Sequence, residues 1–167
     1  SETTPMAVAG ALYYLAHDPA QKAQILADNT RAMAAFRETC RYDQPTNMLA
    51  RRAARDFELS GARIAAGDNL LFIYASANRD ERRFENADTF DMNRSNPGDL
   101  SFGTGTHFCL GATLAQTSAR LMLERLFASM SDYTVIEERC RRAYGEHLNG
   151  FIEMVIKPVW KTDPPSP

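Results

Sequence analysis

Residues 101–111, Ser-Phe-Gly-Thr-Gly-Thr-His-Phe-Cys-Leu-Gly, form a glycine-rich loop that delivers Cys109 to the start of a helically periodic segment. No other stretch restricts so sharply what the chain can be. Two glycines, Gly103 and Gly105, let backbone amides approach a neighbour that side chains would block. A helix beginning just after Cys109 adds partial positive charge at its N-terminus. Both features favour a thiolate over a thiol. Such a cysteine can be an iron ligand, a nucleophile or a buried structural residue, and the loop alone leaves all three open.

The spacing of apolar residues predicts a mainly α chain with a small antiparallel β-sheet. A first helix is expected over Met6–Ala16, with Ser1-Glu2-Thr3-Thr4 as its cap and Pro5 in its first turn. Asp18-Pro19 opens a second helix to about Asp28, and a third runs from about Thr30 to Tyr42, stopped by Pro45. Short apolar runs over 48–77, broken at Ser60-Gly61 and Gly67-Asp68, predict one antiparallel sheet. Residues 78–108 are polar, with a Pro97-Gly98 turn, and predict a long ordered coil; such a coil in a compact domain is usually functional. Helical spacing returns over 110–128, with Leu110, Leu114, Leu121 and Ala128 on one stripe. Phe151–Val159 reads as a single strand. Residues 1–160 are expected to form one unit and 161–167 a disordered tail.

Composition narrows the function. A formal net charge of −2 argues against general nucleic-acid binding, and no run of eighteen apolar residues predicts a membrane span. Three widely spaced cysteines, Cys40, Cys109 and Cys140, do not make a disulfide framework, which points to a reducing, cytoplasmic setting.

The string Phe102-Gly103-x-Gly105-x-His107-x-Cys109-x-Gly111 resembles the haem-thiolate signature of the cytochrome P450 family. The resemblance implies haem b (iron protoporphyrin IX) with Cys109 on the iron, Phe102 beside the sulfur and His107 at a haem propionate. Arg51, in Arg51-x-Ala53-x-x-Asp56, resembles the arginine of the other propionate. Glu38-Thr39-Cys40-Arg41 matches the family's E-x-x-R motif, and Arg94 resembles its partner arginine, so Glu38, Arg41 and Arg94 are expected to form one structural charge network. Asn78-Arg79-Asp80 is similar to a structural turn of the family. Glu2-Thr3-Thr4 resembles the acid–alcohol pair of its long distal helix, which implies that Glu2 and Thr3 deliver protons to bound oxygen. Read as helix-end residues, Glu2 and Thr3 instead cap the helix. Pro5, Gln116 and Ser118 depart from the family's usual residues, the last two on the side where a redox partner docks.

The resemblance spans nearly all of this chain but well under half of the family's length, from the distal-helix midpoint to the end. Two functions follow. One is the C-terminal, haem-binding part of a bacterial, soluble-type monooxygenase that activates dioxygen and oxygenates a small apolar substrate, with electrons from a ferredoxin or flavoprotein. The other is a truncated, non-catalytic remnant, haem-binding or haem-free. Without a covered distal face the chain alone is not expected to turn over, and it is expected to associate with the missing N-terminal half or with itself. Arg82, Arg83 and Arg120 are candidates for a basic patch that steers an acidic electron donor.

Overall fold

The computed structural model describes residues 2–95 and 98–162. Ser1 of the expected cap, Pro97 of the Pro97-Gly98 turn and the tail from Asp163 onward lie outside the described residues. Helix α1 (Thr3–Ala16) is apolar on nearly all sides, burying Met6, Ala7, Val8, Ala11, Leu12 and Leu15. A helix of that character belongs in the centre of a fold. Its expected cap is corrected: Glu2 sits at the N-cap in helical geometry and makes no side-chain capping bond.

Helix α2 (Pro19–Ala27) starts at Asp18, whose carboxylate accepts the Gln21 amide at 2.9 Å, with Pro19 as first helical residue. A 3₁₀ turn (Asn29–Arg31) then leads into α3 (Ala32–Tyr42). That turn is capped by Asp28, which accepts the Thr30 amide at 3.1 Å. Gly10 lets α1 and α3 touch, since a Cβ there would lie 2.6 Å from Thr39 Cγ2.

Strand β1 (Met48–Arg52) pairs antiparallel with β4 (Asn69–Ile73), and β2 (Phe57–Leu59) with β3 (Ala62–Ile64). The expected single sheet is therefore two separate ladders, one hairpin nested between the strands of the other. Ser60 (φ 51°) and Gly61 (φ 79°) close the inner hairpin with the left-handed pair that tight hairpins favour. Gly67-Asp68 links β3 to β4 without pairing them. Between the short helix α4 (Tyr74–Ala77) and α5 (Ala112–Ser129) the described residues form coil, with a 3₁₀ turn at Gly105–His107.

Helix α5 buries Ala112, Ala119, Leu123 and Phe127. The leucine stripe legible in the sequence is mostly exposed: Leu110 is 103%, Leu114 73% and Leu121 46% exposed. Both stripes have helical spacing, and periodicity cannot rank them. The two alanines decide it, because small residues let α5 approach α1 and α3 closely. Strand β5 (Met130–Val135) pairs with β8 (Ile156–Trp160), and β6 (Arg141–Tyr144) with β7 (Asn149–Glu153). The single strand expected over Phe151–Val159 is thus two strands in different ladders, broken at Met154-Val155. The last ladder runs on to Lys161, whose amide donates to Ser129 O at 2.9 Å, so Lys161, expected in a disordered tail, is held to the fold.

The core joins Leu15, Ile25, Phe36, Leu123, Phe127 and Tyr133, and the Tyr133 hydroxyl donates to Leu12 O at 2.8 Å. The β6–β7 hairpin is fastened to the end of α3. Arg142 donates to both Asp43 oxygens at 2.7 Å, and Asn149 donates to Asp43 at 2.7 Å. The Asn149 amide adds a bond to Pro45 O at 3.0 Å.

The coil after α4 is ordered by a buried charge network. The Arg41 guanidinium makes a two-point contact with Glu38, at 2.9 and 2.7 Å, and both side chains are fully buried. Its remaining donors reach Asn78 O (2.8 Å), Ala87 O (2.9 Å) and Thr89 O (3.2 Å). Arg94 meets Glu38 at 3.2 Å and donates to the carbonyls of Glu85, Asn86 and Thr89.

Two stability predictions follow from these contacts. Gly150 (φ +139°) holds β7 against α1 so closely that a Cβ would lie 2.8 Å from Met6 Cβ. Gly150→Ala should cost about 1–3 kcal/mol in urea unfolding. Gly61→Ala, with nothing within 4 Å, isolates the smaller strain of positive φ alone. Arg41→Ala removes the two-point partner of a buried carboxylate, strands the Asn78 and Ala87 carbonyls, and should cost about 3–5 kcal/mol. Arg41→Lys should recover only part of that loss, because one ammonium cannot reproduce the planar fork. A folded Arg41→Ala chain with an unshifted urea midpoint would contradict this account.

Candidate cofactor site

The loop before α5 is built for close approach. Gly103 (φ +70°) and Gly105 (φ +65°) take left-handed conformations that let it double back. The Phe108 amide then bonds Gly105 O at 3.0 Å, and the Cys109 amide returns to Phe102 O at 2.8 Å. The Ala112 amide donates to Cys109 O at 3.2 Å, so the cysteine stands immediately before the first turn of α5. Of the three free cysteines only Cys109 is exposed. Cys40 is buried, and that burial pushes its thiol well above the ordinary range. Cys140 is half-buried, with its sulfur 3.7 Å from Met154 Sδ.

Cys109 lies at the wall of a cavity of about 480 Å³, the gap between the loop, the α5 face and the N-terminus of α1. Thr3 and Thr4 line it from α1, Phe36 and Cys40 from α3, and Phe102 and Leu114 from the loop and α5. Gly111 also lines it, and a Cβ at Gly105 or Gly111 would meet no atom within 4 Å. The exposed Leu110, Leu114, Phe108 and Met122 lie on the same loop and the helix that follows it. A thiol beside a mostly apolar gap, with glycines that leave its approach open, fits a flat apolar group bound through sulfur. Haem has that shape and donor preference.

The structure brings Thr3, Phe102, Cys109 and Gly111 together at this cavity. Glu2, Arg51, Gly103 and His107 are not part of its lining. Glu2 is exposed at the start of α1, and Gly103 shapes the turn. Arg51 is exposed on β1 and donates to Ala50 O at 2.8 Å. His107 is exposed and, among the described residues, makes no side-chain hydrogen bond. Cys40, Gln44 and Thr46 line the cavity without having been singled out as site residues. Cys40 falls inside the E-x-x-R string, but a buried amide such as Gln44 leaves no periodic trace. The expected basic patch is partly neutralised: Arg82 pairs with Asp80 at 2.7 Å, holding that carboxyl down at about 2, and Arg120 pairs with Glu124 at 3.3 Å.

Comparison with known proteins agrees with this architecture. The family model of cytochrome P450 matches residues 1–131. A cytochrome P450 of Rhodopseudomonas palustris, CYP199A2, is 38% identical over 156 residues, covering 93% of this chain and 38% of its own length. The structure of CYP109Q5 from Chondromyces apiculatus superposes with a TM-score of 0.89 at 33% identity, over 97% of this chain and 42% of that one. CYP109E1 from Bacillus megaterium, solved in complex with testosterone, gives 0.86 at 27% identity, over 93% and 43%. The chain therefore spans about two fifths of the length of the relatives it matches. Among the described residues no helix is long and apolar enough to cross a membrane. From the signature loop, the buried Glu38–Arg41–Arg94 network and a family match over residues 1–131, this chain belongs to the cytochrome P450 family.

Proposed function

We propose that this chain binds haem b through Cys109 and forms the oxygen-activating part of a monooxygenase acting on small apolar substrates. The observation that carries the reading is that the exposed thiol of Cys109 and the hydroxyl-bearing Thr3 line one mostly apolar cavity. When bound, the haem supplies dioxygen activation, and a thiolate ligand favours cleavage of the O–O bond.

The chain's own residues have separable tasks. Cys109 holds the group from the end of the loop, just before the first turn of α5. Gly111 permits close approach, and Phe102 and Phe36 keep water from the cavity. Thr3, with Glu2 beside it in sequence, holds and passes protons at its hydroxyl on the α1 side. Arg51 and His107, both exposed, can turn their N–H groups toward the carboxylates of a bound porphyrin. Testosterone bound to the B. megaterium relative supports an apolar substrate, and the apolar lining here agrees. A ferredoxin or flavoprotein would donate electrons from the Cys109 side. Free thiols at all three cysteines suit a cytoplasmic setting.

The test is optical. The chain loaded with haemin, reduced and exposed to carbon monoxide, should show the red-shifted Soret band of thiolate ligation. Cys109→His should abolish that band, while Cys140→Ser should retain it. An unchanged spectrum in Cys109→His refutes the assignment.

A further inference from the structure

We infer that Gln44 and Asn78 are positioning residues for Cys109, an amide pair that ties the stem of the cysteine loop to the end of α3. The proposal rests on the reading of Cys109 as the haem ligand. Residues 104–111 are all exposed, so apolar burial does little to hold the loop in place. Its order comes from its stem, Leu100-Ser101-Phe102. Phe102 O receives the Cys109 amide at 2.8 Å, so wherever the stem sits, the cysteine follows.

Two buried amides place that stem. Asn78 is fully buried and Gln44 is 3% exposed. Asn78 Oδ1 accepts the Leu100 amide at 2.7 Å, and its Nδ2 donates to Ser101 Oγ at 3.3 Å and to Gln44 Oε1 at 2.5 Å. Gln44 Nε2 then donates to Ser101 O at 3.3 Å. The backbone of Asn78 is itself fixed, because its carbonyl accepts Arg41 Nη1 at 2.8 Å. A continuous path therefore runs from the Glu38–Arg41 pair through Asn78 to the stem and on to Cys109.

Position 44 requires a group that accepts at one end and donates at the other. A carboxylate cannot donate to Ser101 O, and an apolar side chain leaves a buried Asn78 N–H without a partner. Gln44 lines the cavity together with Ser101 and Phe102, so the amide and the stem it holds border the same space.

Gln44→Met keeps length and apolar volume but removes both bonds, whereas Gln44→Glu keeps the bond from Asn78 in either state and restores the donation to Ser101 O only when protonated. Burial holds such a carboxyl protonated to higher pH than usual. Backbone hydrogen exchange would be followed on the haem-free chain across a pH series, each variant taken as a ratio to wild type at the same pH. Gln44→Met should accelerate exchange at Leu100, Ser101 and Cys109 by about fivefold or more, leaving Leu123 and Phe127 of α5 unchanged. Gln44→Glu should match wild type at acid pH and exchange faster than wild type at alkaline pH. Unchanged exchange at Cys109, equal acceleration in α5, or a Gln44→Glu ratio that ignores pH each overturns the proposal. The haem reading fails separately: if Cys109→His keeps the thiolate spectrum, that reading falls whatever the exchange rates show.

Discussion

The two-point contact between Glu38 and Arg41, fully buried on α3, is the interaction on which the rest of this structure depends. A buried ion pair is weak evidence of net stability, since desolvating both charges offsets much of their attraction. Its importance here is geometric. Only two of the guanidinium N–H donors are used on Glu38, and the others collect carbonyls at residues 78, 87 and 89. A polar coil without a strand or helix of its own thereby acquires a fixed course. Breaking the pair would release the segment that leads to the cysteine loop as well as the pair itself.

The fold divides into an apolar part and a polar part that are held by different forces. Helices α1, α2, α3 and α5 with β5 share one core in which Leu15, Phe36, Leu123 and Phe127 are at most 1% exposed. Among the described residues of 78–111 few side chains are buried, chiefly Asn78, Phe84, Ala87 and Met92, and directional bonds to α2 and α3 order them. Hydrophobic burial tolerates small displacements, whereas a hydrogen bond is lost over a fraction of an ångström. A loop that must present one sulfur atom in a fixed place is better served by the second kind of attachment.

Features that rest on local chemistry were legible in the sequence. Asp18-Pro19 is a cap followed by a first-turn proline, and α2 starts there. Ser60-Gly61 is a tight hairpin, and both residues take positive φ. The loop ending at Cys109 could be read from its glycines and the helix after it. What failed depends on which surfaces meet. The leucine stripe of α5 was legible from its spacing, but which face is buried was not, because Ala112 and Ala119 on the other face permit the closer approach. Phe151–Val159 looks continuous because alternation does not show a change of partner strand at Met154-Val155. The single sheet over 48–77 failed in the same way, since turns fix neighbours in sequence and not which strands pair. Gln44 was invisible because one buried amide has no period, and only its partners at residues 78 and 101 reveal its part.

The attachment of the β6–β7 hairpin to the end of α3 has a consequence for how the chain acquires its form. Asp43 binds Arg142, 99 positions away, and Asn149, 106 away, while its neighbour Gln44 binds Ser101, 57 away. These are high-contact-order links, and the entropy of closing such loops must be met before any contact offsets it. During synthesis α1, α2 and α3 can collapse together early, but Arg142 and Asn149 reach Asp43 only after about a hundred further residues have left the ribosome. The end of α3 therefore reaches its final geometry late. The cysteine loop, held one residue along, inherits that schedule, so a competent cofactor cradle is among the last features of this chain to form.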